Sequence, residues 1–210
     1  MSDARRVSPL IVGIGGTIRG GSSSESALMI ALNMAERLGA RIESLTGSAL
    51  ALPMYNPQET HRSEEALRFL DLLRKADGVL LASPGYHGSL SGLIKNALDY
   101  VEDLRDEALP YLEGKVVGCI VCATGWQATT TTLIALRSIV HALRGWPTPL
   151  GATLNTSKKL FAADGICIDA GASSQLEIVS RQVVEFASMS AAATQKPRGK
   201  RAHARVWGVE

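Results

Sequence analysis

The apolar positions of this chain fall into two periods that alternate along its length. Short, continuous apolar runs at residues 9–14, 78–82 and 115–123 have the size and β-branched content of strands buried on both faces. Residues 40–46, Ala-Arg-Ile-Glu-Ser-Leu-Thr, alternate instead, as an edge strand with one wet face does. A last sheet segment opens at Trp146-Pro147-Thr148-Pro149 and runs to Leu154. Between these runs the period lengthens to that of a helix. Ala27, Leu28, Ile30, Ala31, Met34, Ala35 and Leu38 form one stripe, with Gly39 placed to end it. Ser63 is positioned to cap a second helix, with Glu64 and Glu65 in its first turn and Leu67, Phe69, Leu70 and Leu73 as its apolar face. A third helix over 91–104 carries Leu93, Ile94, Ala97, Leu98, Val101 and Leu104, a stripe wide enough to leave room for a partner helix from another subunit. A fourth, 128–143, includes four threonines at 129–132, poor helix formers that a tertiary or subunit contact must offset. The last holds Leu176, Val179, Val183, Val184 and Phe186, and the apolar pattern stops at Gln195.

Five rounds of strand and helix predict an α/β fold: a doubly wound, five-stranded parallel sheet with helices on both faces. The first, third and fourth strands each run into a loop with ligand-binding chemistry. Those loops meet if the strand order is 2-1-3-4-5, the flavodoxin-like order. With 210 residues, 46% of them hydrophobic, the chain suits one domain, expected over 1–194. Residues 195–210 hold five Lys or Arg against Glu210 and are expected to form a basic, mobile tail.

The first loop, Gly15-Gly16-Thr17-Ile18-Arg19-Gly20-Gly21-Ser22-Ser23-Ser24-Glu25-Ser26, joins a strand to a helix N-terminus. Backbone N–H groups, the helix dipole, several hydroxyls and the Arg19 guanidinium make an anion site there. It is neither a dinucleotide fingerprint, because Ile18 stands where the third glycine would be, nor a Walker loop, because no Gly-Lys-Ser/Thr follows. Hydroxyls with one arginine suit a terminal phosphate monoester. In the second loop, Pro84, Gly85, Tyr86, His87, Gly88 and Ser89 have the chemistry of an exposed turn. Its glycines allow a flat ligand close to the main chain, and Tyr86 offers an aromatic face. Cys119 and Cys122 form a C-x-x-C, but their odd spacing on a strand sends the side chains to opposite faces, so packing is expected and no metal site.

The formal net charge of +2 argues neither for nor against nucleic acid, which is not expected as a partner, and no apolar run approaches the roughly 18 residues of a membrane span. Three cysteines and an N-terminus without an apolar signal core lead us to expect a reducing, cytoplasmic setting.

The stretch Ser83-Pro84-Gly85-Tyr86-His87-Gly88-Ser89-Leu90-Ser91-Gly92-Leu93-Ile94-Lys95-Asn96-Ala97-Leu98-Asp99 resembles a flavin loop of the NADPH-dependent FMN reductase family, S-P-x-Y-x-G-S-x-S-G-x-L-K-N-A-x-D. The first loop resembles the family's G-S/T-x-R-x-x-S-x-S, and Leu52-Pro53-Met54-Tyr55-Asn56-Pro57 its L-P-x-Y-x-P. Ala123-Thr124-Gly125 match the third flavin loop, A-T-G-G-S, from which Trp126 and Gln127 depart. The resemblance covers 9–190 in layout. It implies FMN as cofactor and NADPH or NADH as hydride donor. By position it places the phosphate on Thr17, Arg19, Ser22, Ser24 and Ser26, and the ring against residues 84–89, Thr124, Gly125 and Trp126. Trp126 is expected at the pocket or its rim. No side chain is expected to act as catalytic acid or base, because the flavin carries the chemistry. The resemblance also implies a homodimer or homotetramer, and reduced flavin passed on to a partner monooxygenase. Two alternatives stay open: a quinone, azo-dye or metal-ion reductase with tightly held FMN, and a non-catalytic flavin-binding protein.

Overall fold

The apolar runs become the inner strands of one sheet. The computed structural model describes residues 8–162 and 164–195. Strands β1 (Leu10–Gly15), β2 (Arg41–Thr46), β3 (Gly78–Tyr86) and β5 (Val116–Ala123) are parallel, with β1 between β2 and β3, and β3 between β1 and β5. The fifth position is filled by two pieces, β6 (Trp146–Pro147) and β7 (Ala152–Asn155), both parallel to β5. A two-residue strand β4 (Ser89–Leu90) pairs antiparallel with the end of β3. The order 2-1-3-4-5 therefore holds for the parallel strands, while the sheet has seven strands, not five. The extra count has two causes. Pro147 and Pro149 cannot donate to a ladder, so the fifth strand breaks between them and Ala152. The second loop also folds back as a hairpin.

Alternate residues of the strands face two cores. On one face Val12, Val79, Leu81, Val117, Cys119 and Val121 meet α2 (Glu64–Lys75), α3 (Gly92–Asp99) and α4 (Trp126–Ala142). On the other, Ile11, Leu80, Ala82, Ile120 and Cys122 meet α1 (Ser23–Arg37) and α5 (Ala170–Gln195). Cys119 and Cys122 thus lie on opposite faces, and burial pushes both thiols up to about 12, which keeps them neutral. Of the basic tail, only Gln195 lies within the described residues.

The wide stripe of the third predicted helix is consumed inside the chain. The α-helix stops at Asp99 and continues as a 3₁₀ turn, Tyr100–Leu104. Ile94, Ala97, Leu98, Tyr100, Val101 and Leu104 are all buried in the first core. Part of the cover comes from the loop after β2. Asn96 accepts the Tyr55 N–H at 2.8 Å and donates to the Leu52 and Pro53 carbonyls at 3.1 and 2.9 Å. The Tyr100 hydroxyl donates to the Pro53 carbonyl at 3.0 Å. Arg62 grips Asp103 with two N–H donors, at 2.6 and 3.0 Å, and its guanidinium stacks on Tyr55 and Tyr100. The Arg62 guanidinium and its bonds hold the Asp103 carboxyl below the usual carboxylate range.

The outer edge of the fifth position is closed without a further strand. Pro147 and Pro149 carry no N–H. The Leu150 and Thr153 N–H groups donate to the side-chain oxygens of Gln182 and Gln175 on α5, at 3.1 and 3.0 Å.

Candidate active site

Each of the three loops is shaped by a local device. In the first, Ser22 caps α1 by accepting the Glu25 N–H at 3.2 Å and shares a hydrogen bond with Ser24 at 3.2 Å. The Thr17 hydroxyl donates to the Arg19 carbonyl at 2.6 Å, tightening the turn. The Arg19 side chain is exposed and makes no hydrogen bond or ion pair among the described residues, so its donors are available to a ligand.

In the second, β3 continues through Pro84 and Gly85 to Tyr86, although the turn chemistry of these residues predicts a loop. Tyr86 pairs with Ser89, and the two residues between, His87 and Gly88, have φ of 51° and 83°. Two consecutive left-handed residues make the tight turn whose twist matches flanking strands. The Ser83 hydroxyl accepts the Ser91 N–H at 3.1 Å and donates to the Pro84 carbonyl at 2.8 Å, closing the base of the hairpin. The bare face of Gly85 looks into α4: a Cβ there would stand 2.9 Å from both Ala123 Cβ and Thr132 Oγ1. Glycine is thus required for helix-on-strand packing at this position, in addition to any approach of a ligand.

In the third, Gly125 has φ of 126° and opens α4 with no side-chain cap. Its N–H donates to Asn155 Oδ1 at 3.2 Å, and the same oxygen accepts the Ser157 N–H at 3.0 Å. Asn155 therefore ties the third loop to the end of β7. The threonines that follow are not idle: Thr129 and Thr130 donate to the Trp126 carbonyl and Thr131 to that of Gln127.

A cavity of about 430 Å³ opens where these loops meet. Thr17, Ser22, Ser23 and Ser24 line one end, residues 84–88 a second side, and Cys122, Ala123, Thr124 and Ala128 a third, with Thr156 completing the wall. Of the fourteen site residues expected from the sequence, nine line it: Thr17, Ser22, Ser24, Pro84, Gly85, Tyr86, His87, Gly88 and Thr124. Arg19 stands exposed beside it in the loop, and Ser26 is half-buried in the first turn of α1. Ser89 is the hairpin partner of Tyr86, and Gly125 is the N-cap of α4. Trp126 is 60% exposed and lines a separate, smaller cavity of about 100 Å³ with Asn155, Lys158, Leu160, Asp169 and Gln175. Sequence reasoning missed Ser23, Cys122, Ala128 and Thr156, and read Ala123 only as part of the third loop. For Thr156 a signal existed, since a parallel fifth strand must end on the same side as the other loops.

The donor set fits a flavin mononucleotide. Neutral hydroxyls and the N-terminal end of α1 gather at one end, as a phosphate ester needs. No carboxylate is among the lining residues. The rest combines glycine backbone, Pro84, Tyr86 and His87 with the small side chains of residues 122–124, Ala128 and Thr156, room and apolar surface of the kind a flat heterocycle needs. Among the described residues no group of three His, Cys, Asp or Glu could hold a metal ion.

Residues 9–160 match the model of the NADPH-dependent FMN reductase family. An NAD(P)H-dependent FMN reductase of Pseudomonas aeruginosa is 28% identical over 162 residues, covering 76% of this chain and 84% of that protein. An NADPH azoreductase of Bacillus sp. is 49% identical over 51 residues, which span only 24% of this chain and 29% of that protein. Among solved structures, the flavoenzyme NAD(P)H:(acceptor) oxidoreductase FerB of Paracoccus denitrificans superposes with a TM-score of 0.72 at 22% identity, covering 87% of this chain and 98% of that one. That likeness speaks for the fold, and the family match speaks for the cofactors. The chain belongs to the NADPH-dependent FMN reductase family, flavoprotein oxidoreductases that use FMN and a nicotinamide nucleotide.

Proposed function

We propose that this protein oxidises NADPH or NADH at FMN held in the cavity between β1, β3 and β5, and that it supplies reduced flavin to a partner monooxygenase. The observation that carries the reading is that hydroxyl-bearing residues at the N-terminus of α1, the hairpin residues 84–88 and the end of β5 line one cavity. Bound FMN supplies hydride acceptance and onward electron transfer. The chain's own work is to bind and orient. Ser22, Ser24 and the first-turn amides of α1 receive the phosphate, and Arg19 folds onto it. Tyr86 and residues 84–88 wall the ring on one side, and Thr124 and Gly125 on another. Ser26, Ser89 and Trp126 act from outside the lining, through α1, the hairpin and the start of α4. No side chain is assigned a proton-transfer step.

A second reading, an azo-dye or quinone reductase with tightly held FMN, is favoured by the 49% identical segment shared with the NADPH azoreductase. One experiment separates them. The purified protein is examined for a yellow chromophore and assayed for NADPH and NADH oxidation with and without free FMN, then with an azo dye as acceptor. Oxidation that needs free FMN supports the first reading. Dye reduction by protein that keeps its colour through gel filtration supports the second. No nucleotide oxidation under either condition overturns both and leaves a flavin-binding protein. The assembly we propose is a homodimer or homotetramer. It rests on exposed apolar side chains along α4, Trp126 at 60% and Ile134 at 62%.

A further inference from the structure

The first turn of α1 contains a carboxylate that an anion site does not need. Glu25 follows the cap residue Ser22 by three positions, the spacing of a capping box. Its Oε2 accepts the Gly21 N–H at 2.7 Å, one residue earlier than the usual cap amide. The Ser22 N–H is thereby left without a protein acceptor among the described residues. At the root of the side chain, a Cβ built on Gly16 would stand 3.2 Å from Glu25 Cβ; at the carboxylate end, one on Gly20 would stand 3.9 Å from Oε2. Gly16 and Gly21 both take left-handed backbone, with φ of 93° and 75°. Glu25 therefore spans the loop from its root at Gly16 to its far shoulder at Gly21, like a strut. A phosphate held by Ser22, Ser24 and the amides of this turn shares the turn with a negative charge that repels it.

We propose that Glu25 is a positioning residue for the phosphate end of the cofactor site: its hydrogen bond sets the loop that receives a phosphate ester, while its charge holds affinity below what that loop alone would give. The inference rests on the reading that the first loop takes the FMN phosphate. Flavin-free protein is titrated with FMN and with riboflavin by fluorescence quenching, in the parent and in Glu25→Gln, Glu25→Asp, Glu25→Ala and Arg19→Ala. Aspartate keeps the charge but is one methylene too short to reach Gly21, so it replaces alanine as the loss-of-bond variant should alanine fail to fold. Glu25→Asp and Glu25→Ala are expected to weaken FMN by about tenfold or more and to leave riboflavin within about twofold. Glu25→Gln keeps an acceptor of the right length and is expected to bind FMN at least as tightly as the parent. A role confined to helix stability would weaken both flavins together, and that result overturns the proposal. So does Glu25→Gln weakening FMN as much as Glu25→Ala. A parent that prefers FMN, loses the preference in Arg19→Ala and keeps it in every Glu25 variant overturns this inference alone. A parent with no preference, unchanged by Arg19→Ala, removes the phosphate reading, and this inference falls with it.

Discussion

Arg19 and Gly85 show how single side chains, present or absent, set the site. Arg19 spends none of its donors on the described protein, and a guanidinium held for a phosphate forms charge-assisted bonds of about 1.5–3 kcal/mol. Arg19→Ala is expected to lower FMN affinity by roughly 10- to 100-fold, with riboflavin indifferent; isothermal titration with both flavins checks it. Gly85 lines the cavity with its backbone while its bare face packs on α4. Gly85→Ala forces Ala123 and Thr132 apart, and overpacking of this kind costs about 1–3 kcal/mol. A fall in the urea midpoint of the flavin-free protein is the expected result. An unchanged midpoint with weakened flavin binding would mean the added methyl points at the ligand instead. The sequence alone exposed the glycine but not the direction of its missing side chain, because that direction depends on α4, about 40 residues further along.

At the scale of elements, the legible parts were those with a local signal. Apolar runs marked β1, β3 and β5, helical spacing marked α1, and helical spacing with a serine cap marked α2. The hairpin was hidden because Pro84 and Gly85 carry loop chemistry, yet the strand runs through them to reach Tyr86. The cover over α3 was hidden because it is made by Tyr55 and Arg62, which belong to no periodic stretch. Two predictions follow from these elements. His87 is a non-glycine residue at φ 51° in a turn that prefers Asn-Gly. His87→Asn should raise stability by up to about 1 kcal/mol, read from the denaturant midpoint. The Asp103 carboxyl, kept low by Arg62, contributes stability that is complete above its ordinary value of 3.8 and is lost as pH falls through its lowered folded value. Asp103→Asn should therefore cost about 1–3 kcal/mol at neutral pH. The gap to the parent should close in acid. A pH-independent difference between the two unfolding curves would show that the pair is not what couples this loop to pH.

Considered whole, the molecule has its candidate site at one end and exposed apolar side chains along α4. If that face is the subunit contact, Ile134→Lys should convert the assembly to monomers by light scattering at micromolar concentration. A parent that is itself monomeric would sink the proposal. The alternative route to assembly, growth of the sheet, meets resistance at both margins. On β2 the exposed positions are Arg41 and Glu43, which a new strand would have to strip of water. On the opposite margin, two prolines offer nothing, and Gln175 and Gln182 already occupy the Thr153 and Leu150 donors. Those glutamines act as built-in mimics of a neighbouring strand, presenting amide oxygens where another chain would present carbonyls. A crowded solution of this protein should accordingly resist fibrillar association. Gln175→Ala with Gln182→Ala would uncover the two donors, and turbidity on prolonged incubation should then appear in the variant before the parent.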